Sequence, residues 1–540
     1  MAQTTSSSRD SNTSTVSSVN GGVPLTHRQI LVVFSALMLG LLLAALDQTI
    51  VATALPTIVG DLGGLDHLSW VVTAYLLSST AVTPLYGKIS DLYGRKALFQ
   101  IAIVLFLIGS VLSGLSQNMP ELITFRAIQG LGGGGLFAMV MAIIGDIVPP
   151  RDRGKYQGLI GAVFAAASVL GPLAGGFLTD SLSWRWIFYI NLPIGIVALV
   201  VTTVVLKLPV SRVRHYIDFL GSALVAAAVT AILLITVWGG NTYAWTSTTI
   251  VGLAIASIAL VAAFIIVELR SPDPVLPLGL FKNQIFSVSS VLSFVTGFMM
   301  FGAIIFLPEY QQVVRGASAI KSGLMLIPLT IGVVSSSVGS GALISKRGKY
   351  KIYPILGSVI ATIGLYLMST LKVDTTYTIQ AVMMFITGFG IGLSMQVIVL
   401  ATQNGVEHKD LGTATSAISF FRTMGGAIGT SFFGSILVNR LAYNMPRLVP
   451  KGITVPKSVA NGAVSGSPQA LSSLPPAIHS ALLQSFVNSL HVMFLAALPF
   501  AILALLFAFV LPEKPLSRVV HKKSHAGHDK DGKLPSVIAE

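Results

Sequence analysis

The chain has 540 residues, of which 53% are hydrophobic and only 10% are charged. Soluble domains carry roughly 25% charged residues, so this composition excludes an ordinary water-soluble fold. The 34 lysines and arginines outnumber the 20 acids, and a net charge of +14 suits either a nucleic-acid partner or a basic membrane protein. Cysteine is absent, which excludes disulfides and thiolate metal sites.

The first 29 residues are rich in Ser, Thr and Asn and lack the apolar core of a signal peptide, so a disordered cytoplasmic tail is predicted there. Fourteen stretches of mostly apolar residues follow, each long enough to cross a bilayer as a helix of about 20 residues. They lie near 30–57, 68–87, 97–116, 121–146, 156–178, 186–206, 218–238, 248–268, 285–307, 321–343, 352–370, 378–401, 413–438 and 490–511.

The basic residues are distributed unequally between these spans. With the N-terminus in the cytoplasm, 24 of the 34 lie on the cytoplasmic side and eight on the outer side. This agrees with the positive-inside tendency of membrane proteins. Because the membrane topology accounts for the positive net charge, no nucleic-acid partner is expected. The sequence therefore predicts an all-α polytopic membrane protein with 14 transmembrane helices and both termini in the cytoplasm.

The two halves of the chain are related by an internal repeat. A shift of 258 residues superimposes three glycines of the fourth span on three of the twelfth, namely Gly130, Gly132 and Gly134 on Gly388, Gly390 and Gly392. A parallel repeat of six spans is the plan of the major facilitator fold. The predicted division is a tail at 1–29, a six-helix bundle at 30–207, an insert of two helices at 208–282, a second six-helix bundle at 283–511 with an outer loop at 441–488, and a basic cytoplasmic tail at 512–540. A short amphipathic helix is predicted within the outer loop, near 476–488.

The second span is followed by the motif GKISDLYGRK, predicted to be a cytoplasmic loop. Its glycines permit tight turns, its acid can accept from helix amides, and its paired bases hold it at the membrane surface. The residues in question are Gly87, Asp91, Gly94, Arg95 and Lys96. The alternative is a merely basic inside loop.

Four further motifs follow the chain order of a known family. They are LDQTIV with ALP in the first span, RAIQG in the fourth, GPLAGG in the fifth, and WRWIF through NLP before the sixth. Together with the GKISDLYGRK motif they make residues 30–511 resemble the fourteen-helix drug/proton antiporters of the EmrB/QacA type. The resemblance implies the major facilitator fold and export driven by the proton gradient, without a cofactor.

The resemblance also implies roles for Asp146 and for the GPLAGG motif. Asp146, at the cytoplasmic end of the fourth span, is predicted to bind the Arg95 segment as an inside latch, with a surface cap as the alternative. The GPLAGG motif is predicted to form a kinked, tightly packed helix that closes against the other half and resists leak, with packing alone as the alternative. Its residues are Gly171, Pro172, Gly175 and Gly176.

Three charged residues are candidates for proton coupling. Asp47 lies inside an apolar span, where a carboxylate costs about 2.5 kcal/mol or more and is expected to face protein or a water-filled cavity. It is predicted to bind and release a proton, with a permanent ion pair as the alternative, and Arg126 is its predicted partner. Glu309, near the outer end of the ninth span, is predicted to assist protons or cationic substrates, although an exposed loop acid is an equal alternative.

Aromatic and methionine side chains from spans flanking the centre are predicted to hold apolar substrates. Arg422, in the thirteenth span, is predicted either to tune the substrate's charge preference in this cavity or to pair structurally. The substrate-cavity candidates are Tyr75, Phe294, Phe298, Met299, Phe301, Met395, Phe421 and Arg422.

These observations predict a monomeric, proton-coupled secondary active exporter in the plasma or inner membrane. It would move small hydrophobic or cationic compounds out of the cell by alternating access. No nucleotide site is expected, because the run GLGGGG lies in a hydrophobic helix rather than after a strand. No metal site is expected either, because the tail histidines His521, His525 and His528 fit a solvated basic tail attracted to anionic lipid better than the alternative of a metal site. The alternatives are the same fold dedicated to one metabolite or lipid and a non-transporting receptor or scaffold, while the lack of enzyme motifs makes a membrane enzyme the weakest alternative.

Overall fold

The computed structural model describes residues 27–62, 68–148, 150–206, 218–240, 243–272, 274–407, 410–449 and 475–516. Within these ranges the chain is helical and forms no β-sheet. Residues 1–26 and 517–540 of the two predicted tails lie outside the described residues.

Fourteen helices of 15 or more residues form the described structure. They are α1 (His27–Leu62), α2 (Leu68–Tyr93), α3 (Arg95–Leu115), α4 (Met119–Ile147), α5 (Pro150–Ser181), α6 (Asn191–Val205), α7 (Phe219–Trp238), α8 (Thr248–Arg270), α9 (Gln284–Val313), α10 (Ile327–Arg347), α11 (Ile352–Ser369), α12 (Tyr377–Gly405), α13 (Leu411–Leu448) and α14 (Pro476–Val510). Short helices at Trp186–Tyr189 and Ala319–Leu324 precede α6 and α10. In the part of the chain that the structure describes, ten helical segments are long and apolar enough to cross a membrane.

Each half of the molecule is built around a glycine-rich helix. In the first half, α4 packs between α2 and α3, because Gly130 and Gly134 face α2 while Gly132 faces α3. In the second half, α12 packs in the same way between α10 and α11, with the repeat-related glycines in the corresponding positions. The absence of side chains there lets the helix backbones approach closely, and the sequence repeat is thus also a repeat of packing.

The two halves meet along a small number of helices. The contacts between them are made chiefly by α5 with α10 and by α2 with α13, with further contacts from α4 to α13 and from α5 to α12. The inserted helices α7 and α8 pack against each other, and α7 also contacts α2 and α13. The insert therefore lies beside the junction of the two halves.

Two predictions of loops are wrong in part. The GKISDLYGRK motif is helical through Tyr93, and the chain turns only at Gly94, whose φ of 95° favours glycine. The predicted outer loop at 441–488 is shorter, because α13 continues to Leu448 and α14 begins at Pro476. The short helix near 476–488 and the last span are one helix, because the polar residues between them lower hydropathy without interrupting helical backbone.

Candidate functional site

A buried ion pair lies inside the first half. The Nη1 atom of Arg126 donates to Oδ2 of Asp47 at 2.6 Å, and the two side chains are 1% and 0% exposed. Both charges are thus removed from solvent, which is tolerated only when the remaining polar atoms also find partners.

Two amide side chains complete the surroundings of Asp47. Nε2 of Gln129 donates to Oδ1 of Asp47 at 2.8 Å, while Oε1 of Gln129 accepts from Arg126 at 2.7 Å. Nδ2 of Asn191 donates to the same Oδ1 at 3.1 Å, and Nε of Arg126 donates to the carbonyl of Val71 at 3.1 Å. Helices α1, α2, α4 and α6 therefore all contribute to one hydrogen-bond network around Asp47.

An aromatic ring covers the arginine. Cζ of Arg126 lies 4.5 Å from the ring centroid of Tyr75, which is 1% exposed. This approach depends on Gly133, where a side chain would overlap the Tyr75 ring. Tyr75 was predicted to line the substrate cavity, but it is enclosed within the first bundle because it covers the ion pair.

Gln129, Asn191 and Ser110 belong to this network and were not among the predicted site residues. Gln129 stands three residues after Arg126, so both lie on the same face of α4. Asn191 opens α6 and also donates to the Ser110 hydroxyl at 2.9 Å. The sequence held one signal for these residues. They are uncharged polar side chains in or beside apolar spans of the same half as Asp47 and Arg126.

The GKISDLYGRK motif is tied to the end of α4. Nε of Arg95 donates to Oδ2 of Asp146 at 2.7 Å, and Arg95 also donates to the hydroxyl of Ser90. Lys96 donates to the carbonyl of Thr203 at 2.7 Å. The α2 backbone at Asp91 is helical, but its side chain lies outside the described part of the structure.

The same end of the molecule, here called the motif end and comprising 87–96, 141–153 and 403–416, joins the two halves. Gly87 of α2 faces Gly412 and Ser416 of α13. Nε2 of Gln403 on α12 donates to the carbonyl of Met141 on α4 at 3.2 Å. The halves are therefore in direct contact at the motif end in this conformation.

The GPLAGG motif presents two faces. Gly171 and Gly175 of α5 pack against Thr49 and Thr53 of α1, within the same half. Pro172 faces the other half, where it lies against Gly323 of the short helix before α10. The glycines therefore close the α1–α5 contact, while the proline contributes to the contact between halves. Gly176, the last residue of the motif, is only partly buried.

Most of the predicted cavity residues of the second half are packed within it. Phe298 is 3% exposed, and its ring lies 5.0 Å from Phe433 and 4.3 Å from Phe500, so it joins α9 to α13 and α14. Met299 and Met395 are also buried, at 3% and 7% exposed.

Phe294 and Phe421 are only partly buried. The ring of Phe421 contacts Phe281, which lies in the connection from the insert to α9. The side chain of Phe301 lies outside the described residues.

Two charged candidates in the second half have different surroundings. Glu309 on α9 is exposed, while Leu307 and Tyr310 beside it are buried. Arg422 on α13 is 5% exposed, and its Cζ lies 4.6 Å from the ring centroid of Phe137 on α4. The Nη1 atom of Arg422 is buried and has no hydrogen-bond partner among the described residues.

Comparison with known proteins identifies the family. The family model described as Major Facilitator Superfamily matches residues 37–218 and 216–430. The chain belongs to the major facilitator superfamily. It is a multi-pass membrane transporter, as the repeat and the apolar helices predicted.

Relatives within the superfamily are named as transporters, one of them as a multidrug transporter. The chain is 36% identical to the multidrug transporter protein MdtP of Bacillus subtilis, over 93% of this chain and 96% of that protein. It is 42% identical to an uncharacterised MFS-type transporter of Mycobacterium tuberculosis, over 92% of this chain and 72% of that protein. The predicted membership of a multidrug efflux family is confirmed by these relatives.

The solved structure of the proton:xylose symporter XylE aligns with a TM-score of 0.60 at 16% identity, over 91% of this chain and 98% of that chain. At this identity the likeness concerns the fold alone.

Proposed function

We propose that this transporter is a drug/proton antiporter, which exports hydrophobic compounds in exchange for protons by alternating access. The observation that carries the proposal is the Asp47–Arg126 pair, because a fully buried carboxylate with a single charged partner is suited to exchange a proton. The proposal is also supported by relatives that are named as a multidrug transporter and a multidrug resistance protein.

The pair is placed where protonation would affect packing. A protonated Asp47 loses its charge interaction with Arg126 and can donate rather than only accept hydrogen bonds. Two residues further along α1, Thr49 lies against Gly171 and donates to the carbonyl of Ala167 on α5 at 3.0 Å. Since α5 is also the principal contact to α10 of the other half, a change at Asp47 is transmitted to the junction of the halves.

The proposed membrane arrangement has fourteen transmembrane helices, six in each half and two in the insert. Both termini lie in the cytoplasm of a monomer in the plasma or inner membrane. The fourteen long helices and the excess of basic residues on one side support this arrangement. The motif end is then the cytoplasmic end, and the contact between halves there corresponds to a conformation closed toward the cytoplasm. The Arg95–Asp146 pair lies within the first half and holds α3 to α4 beside that contact, so its proposed part in an inside latch is to position the motif.

The proposed substrates are hydrophobic compounds, cations among them. Glu309 supports the inclusion of cations because its accessible carboxylate has no ion-pair partner within 4.0 Å among the described residues. A substrate cation paired with Glu309 would neutralise it.

The test is transport by the purified full chain in sealed liposomes with an imposed pH gradient. Unrelated dyes and hydrophobic cations are offered singly and in competition, while an internal pH indicator records proton flux. We expect gradient-driven movement of several compounds, mutual competition and coupled proton flux. Transport of a single compound would contradict multidrug export, and absence of substrate-dependent proton flux would contradict antiport.

A further inference from the structure

Arg422 lies at the centre of the molecule. Its guanidinium is stacked over Phe137, a residue of the opposite half, and the ring of Phe137 also contacts that of Phe164 at 6.1 Å between centroids. The 258-residue shift that relates the halves places Phe164 on Arg422 and Phe137 on Met395. Arg422 and Phe164 are therefore equivalent positions of the two halves, and both contact the ring of Phe137. Equivalent positions that lie this close together must be near the axis that relates the halves. In transporters of this type, substrates bind at the interface between the repeats.

The guanidinium at this position lacks a counter-charge. Nη1 is buried without a hydrogen-bond partner, and no described acid forms an ion pair with Arg422. An arginine side chain stays protonated in proteins, and burial of an unpaired charge is far less favourable than burial of a paired one.

The groups that the described part of the chain offers do not supply that charge. The carboxylate of Asp47 is already paired with Arg126, and both are enclosed within the first bundle. The Phe137 ring attracts the guanidinium by a cation–π interaction but accepts no in-plane N–H hydrogen bonds. The site is therefore complete only when an anion lies beside Arg422.

We propose that Arg422 binds the acidic group of transported organic anions, namely apolar aromatic compounds that carry one sulfonate or carboxylate. The planar fork of a guanidinium matches such a group with two parallel hydrogen bonds. The aromatic part of the compound would contact the neighbouring rings of Phe137 and Phe164. This inference rests on the proposed export function and adds a second substrate class to it.

The test compares two probes of nearly equal shape, naphthalene-2-sulfonate and the neutral naphthalene-2-sulfonamide. Calorimetric titration into the purified full chain measures both affinities, without a pH gradient. We expect the wild type to bind the sulfonate at least about tenfold more tightly, as a charge-assisted hydrogen bond provides. Arg422→Gln should reduce this preference to about one. An equal affinity of the wild type for the two probes would overturn the inference, as would a preference that survives in Arg422→Gln.

Two further variants keep the test decisive. Arg440→Gln removes a positive charge from the same helix, where Arg440 lies near Tyr443, and should leave the preference unchanged. Arg422→Lys keeps the charge but not the fork and should retain a reduced preference. If Arg422→Gln does not elute as a folded monodisperse protein, the affinity ratios of the wild type and of Arg422→Lys decide the test. A ratio in Arg422→Lys equal to that of the wild type would overturn the role of the guanidinium fork.

The outcome is separable from that of the proposed function. If the sulfonate binds through Arg422 but a pH gradient drives no transport, the antiport proposal fails and the anion site stands. If neutral and cationic dyes are transported while the sulfonate preference is absent, the anion site fails alone.

Discussion

At the scale of single residues, Asp47 and Arg126 stabilise each other in a region shielded from bulk solvent. Asp47 accepts three hydrogen bonds, from Arg126, Gln129 and Asn191, and its charge is balanced locally. Removal of one member of such a pair leaves the other charged, buried and unpaired, which costs about 3–5 kcal/mol. An ion pair at the surface behaves differently because water replaces the lost partner.

Neutralising a buried and an exposed aspartate, each of which pairs with an arginine, should therefore have unequal effects on stability. Asp47→Asn should lower the free energy of unfolding by about 3 kcal/mol or more, because Arg126 loses the one ion-pair partner that it has among the described residues. Asp61→Asn removes a pair of 3.9 Å whose side chains are 57% and 30% exposed, and should have little effect. Denaturant titration of both variants in the same detergent checks this, and equal losses of stability would contradict it.

The candidate pair could be predicted from the sequence because charged residues stand out in apolar spans. The sequence did not distinguish Tyr75 from a cavity residue, since an aromatic side chain in a membrane helix is equally compatible with lipid, cavity or interior. The contacts of Arg422 were likewise open, because they depend on a ring of the opposite half.

At the scale of elements, close helix approach depends on glycines at defined positions. A methyl group at Gly87 of α2 would lie 2.6 Å from Cβ of Ser416 and 3.1 Å from the carbonyl oxygen of Gly412, both on α13. The carbonyl belongs to helix backbone and cannot rotate away. In contrast, a methyl group at Gly339 on α10 would meet no atom within 4 Å.

Gly87→Ala should therefore separate the halves at the motif end, while Gly339→Ala should not. Both changes raise helix propensity equally, so they differ only in the packing conflict. The chain has no native cysteine, so spin labels at Tyr93→Cys and Lys349→Cys, both on exposed residues of different halves, report this separation. We expect longer label distances in Gly87→Ala alone. Unchanged distances in Gly87→Ala would contradict the assigned contact.

The fold class and the order of the helices could be predicted because long apolar stretches alternate with polar connections, and ten described segments are long and apolar enough to cross a membrane. Their ends could not, because hydropathy reports burial in lipid and not backbone conformation. The extension of α2 to Tyr93 and the fusion of 476–488 with the last span both follow from this difference.

At the scale of the whole molecule, similar packing serves unequal functions in the two halves. The repeat reproduces the packing of α4 in α12, yet the position equivalent to Arg126 is the buried Met384. The described ion pair in the membrane interior thus belongs to the first half, while the second half contributes Glu309 and the unpaired Arg422. This asymmetry separates the proposed proton site from the proposed substrate contacts.

The most direct test of this separation is transport by Asp47→Asn in liposomes, with Asp61→Asn as the control. Proton-driven accumulation of a dye should fall to the level reached without a pH gradient, because the amide of Asn does not bind and release a proton. Exchange of labelled for unlabelled dye without a gradient should persist, since the substrate contacts lie elsewhere. Full gradient-driven accumulation by Asp47→Asn would contradict the assignment of Asp47 as the proton carrier.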